Sequence, residues 1–537
     1  MKKALIVGII FLFLGVSINS SIATDTVKEF IIPLNNGKTL YVGGSGPGNF
    51  SKIQYAIDNA SSGDTVFVYS GSYFENVLVN KSIKLIGEDK DSTIIEGRKK
   101  SDVIRIVSSN VIIKDFTLNN SGKYTGNAGI QLDDEIDSIE IRGNIITNNQ
   151  IGIALGEEYF YDKITHVTIE NNFLKNERFG IALYIGYETT IANNTFIHRG
   201  IIIPYGYTRD NTVINNTLNG LPLVYLEKQQ DKIIQPHVGQ IILKSCDNIT
   251  VTGQNLDEDC FIGIELVACS NCNIFENSFS NMAWSIFSLN SRDSNIEKNS
   301  FENNSYAIHL KDSERHTITS NNINNSLDSI NLYYSDGNTV SKNNLTNSRT
   351  GIDLGHSSDN SIFENNISYI RDHGIDLFFG CFRNKFINNT IKNCLDAGIY
   401  ILGTSKVFWD LASNRNEISR NQLINNEWGV LLEEAAFTTV SYNNISGNDY
   451  GVEVISAKYN LISRNNIFEN EKEDAYFKNS YSSFFTRNFW NESKRVHRIN
   501  GGAYTYNYWG DTWELLFRLI RFDLHPVKEP YDITIIV

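Results

Sequence analysis

An asparagine beat limits what this chain can fold into more than any other feature. Asn171-Asn172-Phe173, Asn193-Asn194-Thr195 and Asn215-Asn216-Thr217 follow one another at a spacing of 22 residues. The beat resumes at Asn277, Asn299, Asn321, Asn343 and Asn365. It returns at Asn421, Asn443 and Asn465, and ends at Arg487-Asn488-Phe489. A fixed period of this length marks a solenoid, because one unit is too small to bury its own apolar side and must stack on the next.

Each unit repeats one grammar: a small residue, an alternating run, a polar loop, a second short apolar run, then asparagine. Gly263-Ile264-Glu265-Leu266, Ala307-Ile308-His309-Leu310, Gly351-Ile352-Asp353-Leu354 and Gly451-Val452-Glu453-Val454 are four such openings. Alternation over so few residues reads as a short strand with one buried face. The glycine is expected to supply a positive φ, and the asparagines to bond nearby backbone and form ladders from coil to coil. The reading is an all-β parallel β-solenoid with one coil per 22 residues. Leucine-rich repeats share this length range, but here Ile, Asn and Ser dominate instead of a leucine frame.

The formal charge of −14 excludes a basic nucleic-acid footprint, so no nucleic-acid partner is expected. Lys2-Lys3 and the apolar run Ala4–Val16 precede the small residues Ser21-Ile22-Ala23, the layout of a secretory signal over residues 1–23. The product is expected to be secreted, extracellular or at the cell surface. Membrane attachment would come only through an uncleaved signal. Residues 24–100 read as an N-terminal cap and first coils, with a short helix through Phe50, Ile53, Ala56, Ile57 and Ala60. Coils run through 101–500, and 501–537 form a C-terminal cap with an amphipathic helix over Glu514–Phe522. The period breaks near Glu157–Ile164, Leu221–Gln240 and Leu402–Glu417.

The entry segment resembles one known group. Ser51-Lys52-Ile53-Gln54-Tyr55-Ala56-Ile57-Asp58, Gly63-Asp64-Thr65-Val66, Gly71-Ser72-Tyr73-Phe74-Glu75-Asn76-Val77 and Lys81–Glu88 are similar to the N-terminal coils of right-handed parallel β-helix repeat proteins, of the NosD-like and carbohydrate-binding/sugar-hydrolase type. Asn507-Tyr508-Trp509-Gly510 and Phe522–Pro526 resemble the ends of archaeal cell-surface members. The resemblance implies a right-handed, single-stranded parallel β-helix and leaves the chemistry open, since one fold hosts many functions. Gly71–Asn76 also resembles an element of pectin methylesterases, but that family's catalytic motifs are absent, as are polygalacturonase signatures. NosD-like proteins also imply copper handling. Soft copper sites favour Met and Cys, whereas Met282 is the only methionine beyond Met1 and the nine histidines are scattered.

The repeat permits a register argument. The outward column of the opening strands reads Glu265, Phe287, His309, Asn331, Asp353, Asp376, Tyr400, and a second column reads Val267, Leu289, Lys311, Tyr333, Gly355, Phe378, Leu402. Asp353 and Asp376 are then stacked carboxylates, beside His309, Lys311 and the rings of Tyr333, Phe378 and Tyr400. Paired carboxylates with aromatic platforms suit a sugar, a divalent cation such as Ca²⁺, or acid/base cleavage of a glycosidic bond. Solvated polar positions are the ordinary content of a solenoid wall. No catalytic residue is assigned. The reading favours a binder of polysaccharide or cell-surface polymer over a polysaccharide lyase or glycoside hydrolase, with a structural surface-layer or adhesion component as a further alternative. No resident cofactor or metal site is assigned. Among six cysteines, Cys246 and Cys269 occupy equivalent places in neighbouring coils and suit a disulfide or a buried stack.

Overall fold

The computed structural model describes residues 37–157, 163–176, 178–257, 260–403, 414–480, 483–490, 497–506, 513–517, 521–523 and 530–531. The signal assigned to residues 1–23 lies outside them, as does much of the breaks at Glu157–Ile164 and Leu402–Glu417.

The chain is a parallel β-solenoid of three strand stacks. Thr350–Gly355, Ser361–Phe363 and Asn366–Ser368 make one complete turn, and each strand pairs in parallel with its equivalents one turn away. The stack begins at Thr39–Val42 and its regular turns run through Phe489–Trp490. Ile264, Ile286, Ile308, Ile330, Ile352, Ile375 and Ile399 are direct register partners, and all are fully buried. Burying one such side chain contributes about 1.5–3 kcal/mol, and no single coil could do it alone.

The asparagine beat is an interior ladder. Asn299 donates its backbone N–H and its Nδ2 to Asn321 Oδ1, both at 3.0 Å, and Asn321 repeats the pattern on Asn343 at 2.9 and 3.0 Å. The ladder runs Asn144, Asn172, Asn194, Asn216 in the first half and Asn277 to Asn488 in the second. The doublets therefore belong to two frames. The ladder residue is the second asparagine at Asn171-Asn172 and the first at Asn321-Asn322. The residue before it is left-handed whatever its type: Glu276, Lys298, Ser320 and Arg420 all have φ between 52° and 58°. The ladder bonds offset the steric cost of that conformation for residues that rarely adopt it.

Glycine plays a different part from the one expected. Gly351 and Gly451 are not among the positive-φ residues. A Cβ at either would lie 2.3 Å from a carbonyl oxygen of the next turn, Gly374 O or Asp474 O. Close approach of successive turns, not backbone freedom, requires them.

The helix Ile53–Asn59 buries Ile53, Ala56 and Ile57 against Thr39–Val42, Thr65–Val68 and Val77–Val79. Glu75 accepts the N–H groups of Ile53 and Gln54 at 2.9 and 3.1 Å, which satisfies two of the helix's unpaired donors. At the other end the expected helix over Glu514–Phe522 is not present in the described segments. Trp513–Phe517 and Arg521–Asp523 are strands, both antiparallel to His497–Tyr506. Paired backbone, not a helix, occupies that segment.

The break at Leu221–Gln240 is a restart. Thr217–Leu218 pairs antiparallel with Leu221–Pro222 through Asn219-Gly220, whose φ values are 51° and 82°. Two positive φ values are the requirement of a tight type I′ hairpin, for which Asn-Gly is the strongest signal. After it Leu221–Glu227 opens a new stack of long strands, paired to Gln240–Lys244 and then to Ile262–Val267.

Candidate functional site

The hairpin leaves a problem that shapes the site. It diverts the chain after Ile201–Ile202, so that strand pairs only with Phe179–Leu183. Its free backbone edge must be satisfied some other way. Side chains from the outer face of the new long-strand wall do it. Gln240 accepts the Ile201 N–H at 3.0 Å and donates to the Ile201 carbonyl at 2.7 Å. Glu265 accepts the Ile203 N–H at 3.0 and 3.3 Å, and Lys244 donates to the Gly206 carbonyl at 3.1 Å. Residues 201–206 are thereby laid across the wall.

This corrects the reading of the column as solvated along its length. Glu265, Phe287, Val267 and Leu289 are all buried. Burial pushes the Glu265 carboxyl up to about 8, against the bond from Ile203 and the charge of Lys244. Near neutral pH it is a protonated carboxyl holding a strand edge. Glu265→Ala is expected to cost about 2–3 kcal/mol, because it empties space and strands the Ile203 N–H. Glu265→Gln keeps an acceptor and should stay near wild type at pH 7. Thermal melts and limited proteolysis of the 203–209 segment check both, and equal behaviour of the two variants would remove the clamp.

Where the segment meets the wall there is a cleft of about 280 Å³. Tyr205, Phe179 and Arg178 line one side, and Phe261, Trp284, His309, Lys311 and Tyr333 the other. Trp284 and Phe287 lie against the His309 ring at centroid distances of 5.6 and 5.4 Å. That apolar packing pushes the imidazole down to about 4, so it is neutral at physiological pH.

Beyond the cleft the column continues as His309, Asn331, Asp353, Asp376 and Tyr400 in successive turns. Asn331 donates to Asp353 Oδ2 at 2.7 Å. Asp353 Oδ1 and Asp376 Oδ1 are shielded and have no hydrogen-bond partner among the described residues, while the His309 and Asn331 side chains interact with each other. Burial, then the charge of Asp376, pushes Asp353 up to about 8. Burial pushes Asp376 up to about 6, with nearby His373 opposing. Both side chains are only partly exposed.

The remaining predicted residues sit around this line. Tyr400 donates to Glu433 Oε2 at 2.7 Å. Phe378 and Tyr333 fill the space over Gly355, where a Cβ would lie 2.6 Å from the first ring and 2.9 Å from the second. Lys311 rests over the Tyr205 ring at 5.3 Å. The sequence reading missed Arg178, Tyr205, Phe261 and Trp284, because their juxtaposition depends on the hairpin; Asn219-Gly220 was the available signal. It also missed Asp372, His373 and Asp396. These offer one ligand atom each, all within 4.8 Å of one another, and His373 packs on Tyr400 at 4.6 Å.

Cys246 and Cys269 are buried free thiols in adjacent turns. They belong to a corner ladder: Cys269 N–H donates to Ser291 Oγ at 3.0 Å, and Ser291, Ser313, Ser335 and Ser357 continue it. Cys272 stands in a parallel ladder through Ser294 and His316. Cys269 and Cys272, three residues apart, thus stand at two successive ladder corners.

A family model described as "Periplasmic copper-binding protein (NosD)" matches residues 57–221, 158–283, 223–410 and 374–513. A "Cell surface glycoprotein" of Methanothermus fervidus is 36% identical over 116 residues, 21% of this chain and 17% of that protein. The chain thus matches well under two thirds of that relative's length. Among solved structures, the periplasmic alginate epimerase AlgG is similar at 11% identity, over 70% of this chain and 84% of that one, with a TM-score of 0.29. The Dettilon tailspike protein gp208 is similar at 14% identity, over 72% and 67%, with a TM-score of 0.25.

Proposed function

The chain belongs to the family described as periplasmic copper-binding protein (NosD), and from that premise we propose that it is an extracytoplasmic, surface-exposed β-helix that binds a glycan or other surface polymer along its long-strand wall. The family's description and the cell-surface relative support the location. One observation carries the binding: Asp353 and Asp376 present shielded polar atoms with no partner among the described residues in consecutive turns, between aromatic rings. Each such atom costs about 1–3 kcal/mol if left unmet. A polyhydroxylated chain supplies donors for the acceptors and C–H faces for the rings.

The soft donors among the described residues are buried: the Cys269 thiol interacts with both Cys246 and Cys272, and Met282 lies in the core. The described cluster whose three ligand atoms all lie within 4.8 Å of one another is two carboxylates and an imidazole, not the soft set that Cu(I) selects.

Calorimetric titration with a glycan panel and with Ca²⁺, on wild type and on the Asp353→Ala/Asp376→Ala variant, tests the proposal. A saccharide ligand should bind the variant at least about tenfold more weakly, roughly one lost hydrogen-bonded group. Identical isotherms would return the wall to a solvated surface. A second reading, glycosidic cleavage, is favoured by the contrast between Asp353, protonated to about 8, and the more acidic Asp376. Divergent carboxyls are how acid and base roles are divided. Their Cα atoms are register partners, roughly 4.8 Å apart, so the two side chains project from the same face of adjacent turns. Reducing-sugar release that Asp353→Asn abolishes would establish it. Ordered self-assembly of the purified chain without saccharide binding would favour a structural surface component.

A further inference from the structure

The cleft between residues 201–206 and the long-strand wall is chemically unlike the rest of this acidic chain. Arg178 and Lys311 both line it, and no described carboxylate does. Among the described residues neither cation forms an ion pair, although Arg178 also lines a neighbouring cleft with Asp102 and Glu157. Arg178 lies over the Phe179 ring at 4.8 Å and donates to the Thr125 carbonyl at 3.2 Å. Lys311 lies over Tyr205 at 5.3 Å. Aromatic faces hold a cation in place without neutralising it. In a chain of net charge −14, two cations lining one concave site favour an anion there. Beside them is the Trp284 ring. At about 280 Å³ the space is near the lower end of the ~300–1,000 Å³ usual for ligand clefts.

We propose that this cleft is a subsite for one uronic acid residue of a polysaccharide: its carboxylate between Arg178 and Lys311, and its C–H face on Trp284. The inference rests on the glycan reading above and names the class of sugar. Neutral sugars would satisfy the rings and leave the two cations without an anion, so the site discriminates by charge. The cleft lies next to Asn331 and Asp353 on the same wall, which places the acidic residue at one end of the bound polymer's path.

The test is calorimetry on the full chain at low salt with trigalacturonate, trimannuronate and triglucuronate, and with their carboxyl-reduced counterparts. At least one uronate should bind, with its reduced form at least about tenfold weaker. Arg178→Met and Lys311→Met should each weaken it about fivefold or more, with unfolding midpoints unchanged, and Lys311→Arg should retain most of the affinity. Asp353→Ala should change uronate binding less than either cation variant. Equal affinity for acidic and reduced trimers overturns the inference and leaves the glycan reading standing. Uronate binding that survives both cation variants overturns it as well, as does inorganic phosphate competing as strongly as the uronate. Binding of no saccharide in either panel overturns both readings.

Discussion

Asn321→Leu is expected to destabilise the solenoid by on the order of 4–6 kcal/mol, whereas Asn322→Leu, one residue away, should stay within about 0.5 kcal/mol of wild type. Asn321 is 1% exposed. Its Oδ1 receives two bonds from Asn299, and its Nδ2 donates to Ile296 O at 2.9 Å and to Asn343 Oδ1 at 3.0 Å. Leucine has similar bulk and removes all of these. The buried Asn299 N–H and Ile296 carbonyl lose these partners and Asn299 Nδ2 keeps only the Ile274 carbonyl, at 2.9 Å, each loss costing about 1–3 kcal/mol. Asn322 is exposed and its Oδ1 meets only Asn344 Nδ2, at 2.8 Å in water. Solenoid turns are coupled to nearest neighbours, so the damage should concentrate in the turns beside Asn321. Urea titration gives the difference between the two variants, and amide hydrogen exchange gives its location. Similar losses for both, or loss of protection spread evenly along the chain, would contradict the ladder as the source of stability.

The same ladder explains why the architecture was readable. Asparagine at a fixed period leaves few arrangements in which buried amides are all satisfied, and the isoleucines in register with it define the core. What the spacing could not convey was frame and role. The left-handed residue precedes the ladder asparagine and is often charged, so composition gave no sign of it. The glycines answer to the neighbouring turn's carbonyls, a contact absent from any single unit. The candidate column Glu265 to Tyr400 followed from alternation, but its covering did not. Residues 201–206 reach Glu265 across 62 positions because Asn219-Gly220 turns the chain back, and that segment carries no repeat of its own. Arg178 and Trp284 meet for the same reason. Asp372, His373 and Asp396 lie in the turns of coils longer than 22 residues, where the alignment that found Asp353 and Asp376 has no equivalent positions.

Those two carboxyls give the other large effect. In an unfolded chain each titrates near 3.9. In the folded wall Asp353 is held up to about 8 and Asp376 up to about 6. Below about pH 4 both states are protonated and the pair costs nothing. As pH rises the unfolded state releases protons that the folded state keeps, so stability falls, through pH 6 for Asp376 and on to pH 8 for Asp353. Asp353→Asn replaces the protonated acid with a neutral group of the same shape that can still accept from Asn331. The variant should match wild type at pH 4 and overtake it steadily, reaching about 2–5 kcal/mol at pH 8 once relaxation and water entry are discounted. Melting curves from pH 4 to pH 9 measure this. A constant offset between the two proteins would mean that Asp353 titrates normally. A ligand reverses the ranking at high pH: a divalent cation or saccharide donor bound to the ionised pair stabilises wild type by mass action and leaves Asp353→Asn behind. The pH at which added ligand restores wild-type stability therefore separates a site built for a cation, which needs both carboxylates ionised, from one built for hydroxyl donors, which is met while Asp353 still holds its proton.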